Sequence, residues 1–348
     1  MTAFPTVDPV ALPAGRAVRA IYGGLGLLVF VALVLHIGVG SSLWISPARV
    51  IAEVLGGNRG GADPINTVVW EIRLPRAAGC LLVGALLGLV GAAFQALFRN
   101  PLAEPYVVGV SSGAAVGGSL ALILRFSEAF FGLAGLGTAF AGGLGSLGLV
   151  VALAKRRGVI NVPTLLLAGV VVGSLLAALL SLILLAAGGD TNQVLRWLLG
   201  SMTPMFWPRL SILCVTLLAG VTILARETRR LNAFAVGEDS AQRLGVDTSR
   251  LKKRVLVTGT AMAAVAVGSV GIVGFLGLVA PHIARRLLGI DLRHSLIGAG
   301  LLGSILLLLA DLLAQRAVPG TELPVGAVTA VLGAPTLLLL LRGKGETP

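Results

Sequence analysis

The stretch Arg99–Ala115 reads RNPLAEPYVVGVSSGAA and interrupts a chain that otherwise consists mostly of leucine, alanine, valine and glycine. Pro101 and Pro105 fit poorly inside a helix, because proline lacks a backbone N–H and restricts the residue before it. The small residues Ser111–Gly113 follow and begin a new helix. The stretch therefore predicts the end of one helix, a reversal of the chain and the start of the next helix.

The composition around this stretch is that of a membrane protein. Of the 348 residues, 56% are hydrophobic and 12% are charged, whereas a soluble domain has about 25% charged residues. The apolar runs repeat at lengths near the ~20 residues that a helix needs to cross a bilayer. We therefore predict an all-α polytopic membrane protein with about ten transmembrane helices.

Polar or glycine-rich breaks divide the chain into ten apolar runs. The predicted spans are 20–40, 77–97, 107–124, 130–153, 163–187, 208–225, 254–271, 273–289, 294–314 and 324–342. Only glycine and serine mark the break near Gly271. The chain is thus predicted to be one transmembrane domain, residues 20–342, between a cytoplasmic N-terminal tail, residues 1–19, and a cytoplasmic C-terminal tail, residues 343–348.

The distribution of positive charge predicts the orientation of these spans. If both termini are cytoplasmic, 19 of the 27 lysines and arginines fall on the inner side and the other 8 on the outer side, as the positive-inside rule requires. The net charge of +12 therefore faces anionic lipid. We expect no nucleic-acid partner, because the chain has neither a basic domain outside the membrane nor an aromatic stacking platform.

One inner segment, residues 226–254, is much longer than the others. It contains a short amphipathic helix, Gly237–Leu244, which the following Gly245 ends. A solvated loop is the simplest interpretation of such a segment. Long loops more often serve a function, so we favour a docking element for a cytoplasmic partner.

Two short motifs resemble those of enzymes, but the sequence around each motif does not fit the fold that the enzyme motif needs. The run Gly109–Gly113 matches the G-x-S-x-G nucleophile elbow, which needs a preceding strand. An intramembrane serine protease stays an alternative and requires a reactive Ser111 or Ser112. The run Gly143–Gly148 matches a dinucleotide fingerprint but lies inside a span. The sequence contains no phosphate-binding P-loop, so we expect no nucleotide hydrolysis by this chain.

Span five, 163–187, carries a stripe of small residues. Gly169, Gly173, Ala177 and Ser181 recur every four residues, which places them on one helix face. Such a face permits close helix packing or lines a smooth pathway, and the residues themselves leave both interpretations open. A similar stripe in span two is more typical of packing within the bundle.

Ionisable residues are scarce within the spans. Asp311 lies near the outer end of span nine, where we expect it to pair with Gln315 or Arg316 or to cap another helix. A proton relay needs a chain of such residues, so a proton-coupled carrier is a remote alternative. Cys80 and Cys214 are both embedded in apolar runs, and we expect no metal site.

The stretches that break the apolar pattern resemble, in their order, the FecCD-type permeases, the membrane subunits of binding-protein-dependent ABC importers for iron chelates and vitamin B12. The matching stretches are RLPR (73–76), FQALFRNPLAEPYVVGVSSGAAVG (94–117), AVGEDSAQRLGV (235–246), GIVGFLGLVAPHIAR (271–285), LLLLADLLAQ (306–315) and ELPVGAVTAVLGAP (322–335). The sequence of spans two to five also weakly resembles that of spans seven to ten, which is typical of inverted repeats in transporters.

This resemblance implies a type II ABC importer fold in a bacterial cytoplasmic membrane. It implies a homodimer with the pathway on its two-fold axis, two separate ATPase subunits that bind ATP and Mg²⁺, and a periplasmic or lipid-anchored substrate-binding protein. The chain itself is expected to bind no cofactor. The substrate is expected to be an iron chelate, a ferric siderophore or haem, with cobalamin as the alternative.

The resemblance also assigns roles to residues. The coupling helices of the family match Gly237, Glu238, Ala241, Leu244 and Gly245. Span five is the principal pathway helix of the family, which favours the pathway interpretation of its stripe. Arginines that match Arg73, Arg76 and Arg316 meet carboxylates of the binding protein in the family, so these three are expected to point outward for docking; snorkelling towards lipid headgroups is the alternative.

Overall fold

The computed structural model describes residues 15–40, 44–56, 63–125, 133–156, 159–203 and 205–342. These ranges are largely helical, and their strands are the short antiparallel pair β1, Lys155–Arg156, and β2, Val159–Ile160. Residues 1–14 of the predicted N-terminal tail and the whole predicted C-terminal tail lie outside the described residues. The first helix begins at Gly15, five residues before the predicted span.

The helices of the described residues follow the predicted spans. They are α1 Gly15–Val39, α2 Pro47–Gly56, α3 Pro64–Phe98, α4 Val110–Ile123, α5 Ala134–Ala154, α6 Val162–Ala186, α7 Thr191–Leu198, α8 Trp207–Val236, α9 Glu238–Arg243, α10 Thr248–Val270, α11 Leu276–Leu288, α12 Leu292–Arg316 and α13 Val325–Arg342. Seven of them are long and apolar enough to cross a membrane. Together with the shorter α4, α11 and α13 they account for the ten predicted spans, and the predicted fold class is confirmed.

The helix α3 lies at the centre of the bundle. Gly84 packs directly on the backbone of Gly303 in α12, and Gly88 packs in the same way on Ala299. A side chain at either glycine would collide with the α12 backbone, so the small residues of span two allow close helix contact. The packing interpretation of that stripe is confirmed.

The opening stretch reverses the chain at the end of α3. Arg99 adopts a left-handed conformation with φ 49°, and the N–H of Asn100 donates to the Gln95 carbonyl at 3.1 Å, which closes the last turn of the helix. The Arg99 guanidinium carbon lies 5.8 Å from the centre of the Phe234 ring near the end of α8. This contact places the reversal beside the end of α8 that leads into α9.

The break between α10 and α11 lies inside the bundle. The helix α10 ends at Val270, and α11 begins only at Leu276. Gly277 packs against Gly91 of α3, which precedes Phe98 by seven residues, or about 10 Å along the helix. The first turn of α11 therefore lies within the bundle rather than at its surface.

The turn before α4 also enters the bundle and meets the start of α11. The backbone N–H of Phe275 donates to Glu104 Oε1 at 2.7 Å, and the Tyr106 hydroxyl donates to the Val273 carbonyl at 2.6 Å. A long helix, an irregular segment inside the bundle and a short helix thus occur in the same order in spans two and three and in spans seven and eight. The predicted inverted repeat requires this correspondence.

The predicted inner segment 226–254 is more helical than the single short helix expected there. The helix α8 continues without a break to Val236, and α10 already begins at Thr248. Glu227, Leu231 and Phe234 are buried along this extension of α8, because the polar residues between them still leave one face for the core. We call the end of the bundle that carries α9 the short-helix end and the opposite end, which carries Glu322, the Glu322 end.

Candidate functional site

The short helix α9 confirms the helix predicted over 237–244, and its end is built by Gly245. Gly245 has φ +80°, a conformation that costs other residues energy because their Cβ approaches the backbone. The N–H of Gly245 donates to the Gln242 carbonyl at 2.9 Å, and the N–H of Val246 donates to the Ala241 carbonyl at 3.0 Å. This pair of bonds is a Schellman motif, which ends a helix sharply.

The two faces of α9 have different environments. Ala241 is fully buried against the bundle, whereas Leu244 on the other side is 74% exposed. Val236, just before the helix, is 82% exposed. Gly237 is extended rather than left-handed, so any residue adopts its conformation. Large apolar side chains that project from a polar end of a protein mark an interaction surface, and the arrangement suits a partner that covers α9.

Glu238, the first residue of α9, is bonded back to α10. Its carboxylate accepts a hydrogen bond from the Thr248 hydroxyl at 3.1 Å and forms an ion pair with the Lys252 ammonium. The same ammonium donates to the Ile160 carbonyl at 2.6 Å. Lys252 lies in a run of three basic residues, so the sequence gives no signal that this one points inward.

The short-helix end is also joined to α12. Asn232 on α8 donates to Asp291 Oδ1 at 2.7 Å, and its own Oδ1 accepts from the Leu292 N–H at 3.0 Å. Asp291 caps α12 by accepting from the Arg293 N–H at 2.9 Å. Burial alone would raise the pKa of Asp291, but these hydrogen bonds and the nearby Arg293 outweigh it, so its pKa lies below the usual value.

The structure divides the small-residue stripe of α6 into two halves. Gly169 is buried, and its carbonyl lies 3.7 Å from the position that a Cβ of Gly109 would take. Gly173 faces α4, where a Cβ would lie 3.8 Å from Ser112 Oγ. These two residues therefore pack against the turn before α4 and against α4 itself.

The second half of the stripe is open. Ala177 and Ser181 are exposed in the single chain, and the Ser181 hydroxyl donates to the Ala177 carbonyl at 3.0 Å. This internal bond satisfies the hydroxyl and leaves a smooth surface. The second half of the stripe is therefore exposed in the single chain, whereas the first half contributes to helix packing.

The predicted outward direction of Arg73 is wrong. Its side chain is buried, and the guanidinium donates to the carbonyls of Ile37 and Gly38 at 2.7 and 3.0 Å. Arg316, which is exposed, donates to the carbonyl of Val39. Both arginines therefore cap the last turn of α1, where helix carbonyls lack partners within the helix and attract positive charge.

Arg76 is also buried rather than directed outward. Its Nε and Nη2 donate to the two oxygens of Asp311 at 2.8 and 3.0 Å, and its Nη1 donates to Glu322 Oε2 at 2.9 Å. Asp311 is completely buried, and a buried carboxylate needs a cation and further hydrogen bonds to be tolerated. This requirement, which the sequence does not reveal, turns Arg76 inward.

Asp311 is the centre of a polar cluster between α1, α3 and α12. Gln315 donates to its Oδ2 at 2.9 Å, which confirms one of the two expected partners, and His36 Nε2 lies 2.8 Å from the same oxygen. His36, Cys80 and Asp311 bring potential metal-ligand atoms within 4.8 Å of one another. Because Arg76 occupies both carboxylate oxygens with a positive charge, the cluster suits an ion-pair network better than a second cation.

The two enzyme-like motifs lack the structural surroundings that their enzymatic roles require. Ser111 and Ser112 lie in the first turn of α4 after a 3-10 turn, Pro105–Val108, and not after a strand. The nucleophile elbow is therefore not formed. Gly143 of the dinucleotide-like run lies inside α5, where a Cβ would meet Ala264 of α10. This glycine serves helix packing.

The described residues form a bundle of apolar helices of membrane-spanning length with a short helix at one end, which is the architecture of a multi-pass membrane protein. The model of the FecCD transport family matches residues 27–343. The chain belongs to this family, whose members are permease subunits of ABC transporters.

Relatives of known name agree with this assignment. The Fe(3+)-citrate import system permease protein YfmE of Bacillus subtilis is 36% identical over 318 residues, which cover 91% of this chain and 93% of that protein. The vitamin B12 import system permease protein BtuC of Salmonella paratyphi A is 39% identical over the same length and coverage. A solved inward-facing ABC transporter, described as of the metal-chelate type, has a TM-score of 0.81, 31% identity and coverage of 93% of this chain and 99% of that one.

Proposed function

We propose that this chain is the permease subunit of an ABC importer that carries an iron chelate, a ferric siderophore or haem, across the bacterial cytoplasmic membrane, with cobalamin as the alternative substrate. The observation that carries this proposal is the short helix α9. Its buried side, at Ala241, fixes it to the bundle, while the apolar side chains of Val236 and Leu244 project from the same end. An ATPase subunit that covers these side chains would move α9 directly.

The orientation and assembly follow from this assignment. The short-helix end is cytoplasmic, as are both termini, and two ATPase subunits bind ATP and Mg²⁺ there. The substrate-binding protein docks at the Glu322 end, and two copies of the chain form the pathway. The exposure of α6 supports the last point: it is the least buried of the seven long apolar helices, and Leu175 and Leu182 are 62% and 63% exposed.

Transport then proceeds by alternating access. ATP binding brings the two ATPase subunits together and displaces the α9 helices. The two α6 helices separate at one end of the pathway while they close at the other. The exposed part of the stripe, at Ala177 and Ser181, lines the pathway in this proposal, and Gly169 and Gly173 hold α6 against α4 and the turn before it.

The proposed docking of the binding protein is limited to Arg316. Arg316 stays exposed and is available to a carboxylate of the binding protein, whereas Arg73 and Arg76 fix the helix ends beneath it. A variant with glutamate at all three positions would disrupt the buried cluster and so would not test docking. Arg316→Glu alone should lower the affinity for the binding protein while the complex assembles, and wild-type affinity should fall as salt rises. Unchanged affinity at low salt would exclude the docking role.

The substrate is tested in proteoliposomes that contain the complex with its ATPase. ATP hydrolysis and uptake are measured with the binding protein loaded in turn with a ferric hydroxamate, a ferric catecholate, haem and cobalamin. Stimulation by one iron chelate supports the proposal, and stimulation by cobalamin alone supports the alternative. Uptake without ATP would contradict the ABC importer assignment and favour a proton-coupled carrier.

A further inference from the structure

Lys252 is a buried cation at the short-helix end. It lies on α10, is 1% exposed, and is surrounded by groups from three other elements. Its ammonium pairs with Glu238 of α9 and donates to the Ile160 carbonyl of β2 at 2.6 Å. It also lies 5.8 Å from the centre of the Phe234 ring on α8. The neighbouring Lys253 is exposed, so burial is specific to Lys252.

One polar partner of Lys252 lies on α9, and the other lies on β2 directly before α6; α9 and α6 are the two helices that transport must couple. Glu238 is the first residue of α9, which the proposed function assigns to the ATPase contact. Ile160 immediately precedes Asn161, and the Asn161 side chain accepts from the Thr164 N–H at 3.2 Å and so caps the first turn of α6. The ammonium group therefore joins the start of α9 to the start of the proposed pathway helix.

We propose that Lys252 is a positioning residue that transmits the displacement of α9 to α6 through the bridge from Glu238 to Ile160. This inference rests on the proposed function. A buried ammonium needs both partners, because the loss of either leaves a charge that burial strongly penalises. A displacement of Glu238 therefore draws Lys252 and the Ile160 carbonyl with it. Ile160 is covalently next to the cap of α6, so the displacement reaches the first turn of that helix.

The test compares three variants in the assembled complex in proteoliposomes. Lys252→Met keeps the length and apolar stem but removes the charge, Lys252→Arg keeps the charge, and Lys253→Met is the control on the exposed neighbour. Uptake and ATP hydrolysis are measured together. We expect Lys252→Met to lower the number of substrate molecules transported per ATP at least tenfold, Lys252→Arg to recover part of it, and Lys253→Met to match the wild type.

A second measurement follows α6 directly. In a Cys214→Ser background, which removes the exposed cysteine and leaves the buried Cys80, Ser181→Cys reports the accessibility of α6 to a maleimide. With wild-type Lys252, trapping the ATPase with ATP and vanadate should change the labelling rate. With Lys252→Met that change should disappear, even if transport is too low to measure.

The outcomes separate this inference from the proposed function. If the complex with wild-type Lys252 shows no ATP-driven uptake, the proposed function fails. If it transports but Lys252→Met keeps the same transport per ATP, or keeps the change in labelling, the positioning role is excluded. If Lys252→Met does not assemble, Glu238→Gln removes the charge from the other side of the bridge and should show the same loss of the labelling change; a retained change in that variant excludes the role as well.

Discussion

The two ends of the molecule each bury a cation, but they hold it differently. At the Glu322 end, Arg76 binds two carboxylates, Asp311 and Glu322, and Asp311 is itself bonded to a histidine and a glutamine. At the short-helix end, Lys252 binds the carboxylate of Glu238 and a single backbone carbonyl. The first cluster joins long helices, whereas the second joins a six-residue helix to the end of a two-residue strand.

This difference suggests which end is rigid and which end moves. A guanidinium presents its donors in a fixed plane, so the Arg76 cluster holds its partners at set distances and angles. An ammonium has no such fixed plane, and its flexible stem lets it move together with its partners and keep both bonds. The Glu322 end therefore keeps the helices together, and the short-helix end permits displacement without loss of contact.

The largest expected effect is at the Arg76 cluster. Arg76→Met leaves Asp311 buried without its cation and should destabilise the protein by about 3–5 kcal/mol. The double variant Arg76→Met with Asp311→Leu should recover much of this loss, because it removes both charges. Thermal unfolding in detergent measures the effect. The exposed pair of Arg49 and Asp63 is the control, and Arg49→Met should cost about 0–1 kcal/mol. Equal losses at both arginines would contradict a rigid Glu322 end.

The next effect is functional and concerns the Schellman motif of α9. Gly245→Pro removes the N–H that bonds to Gln242 and cannot adopt φ +80°. We expect the variant to assemble as a membrane protein but to lose its ATPase or to hydrolyse ATP without transport. Gly320→Pro is a matched control, because Gly320 has a similar left-handed φ of +78° but lies at the opposite end of the bundle, near Glu322. Normal uptake by Gly245→Pro would exclude α9 as the coupling element.

A third effect separates pathway from packing in α6. Ala177→Trp places a large side chain on the exposed half of the stripe and should block uptake while assembly is retained. Gly173→Trp should instead mainly reduce stability, because the residue packs against α4 at Ser112, and its uptake should fall only as far as the complex fails to assemble. Leu176 packs against the core, so Leu176→Trp should mainly reduce stability. If uptake and thermal stability respond equally at all three positions, the stripe is ordinary packing.

The smallest effect is the pH dependence at Asp291. Its pKa is lowered in the folded protein, so its contribution to stability is complete above the unfolded pKa of about 3.9 and is lost as pH falls through the folded pKa. Asp291→Asn should reduce the loss of stability below about pH 4. The difference should be well under about 1 kcal/mol, because solvent screens partly exposed groups. A pH profile of thermal unfolding that is the same in both proteins would contradict this role of Asp291.

Much of the fold could be predicted from the sequence, whereas the positions of the polar residues could be predicted only in part. The break at Gly271 was predicted from glycine and serine, the reversal at Arg99 was predicted from prolines and the small residues after them, and both are confirmed. The segment 226–254 was predicted as a long inner docking segment with one short helix, Gly237–Leu244. In the structure α8 and α10 also extend into this segment, where the buried Glu227 pairs with Arg230 and Arg254.

The sequence by itself determined the number of spans, the reversal at Arg99–Ala115 and the short helix that ends at Gly245. These features depend on apolar length, on the backbone freedom of glycine and on the backbone restriction of proline, all of which act within a few residues. The tertiary structure alone decided the partners of the buried charges. Arg76 meets Asp311 across 235 residues, and Lys252 meets Ile160 across 92. A charge within a membrane protein turns towards whatever neutralises it, and only the packing of distant helices specifies what lies nearby.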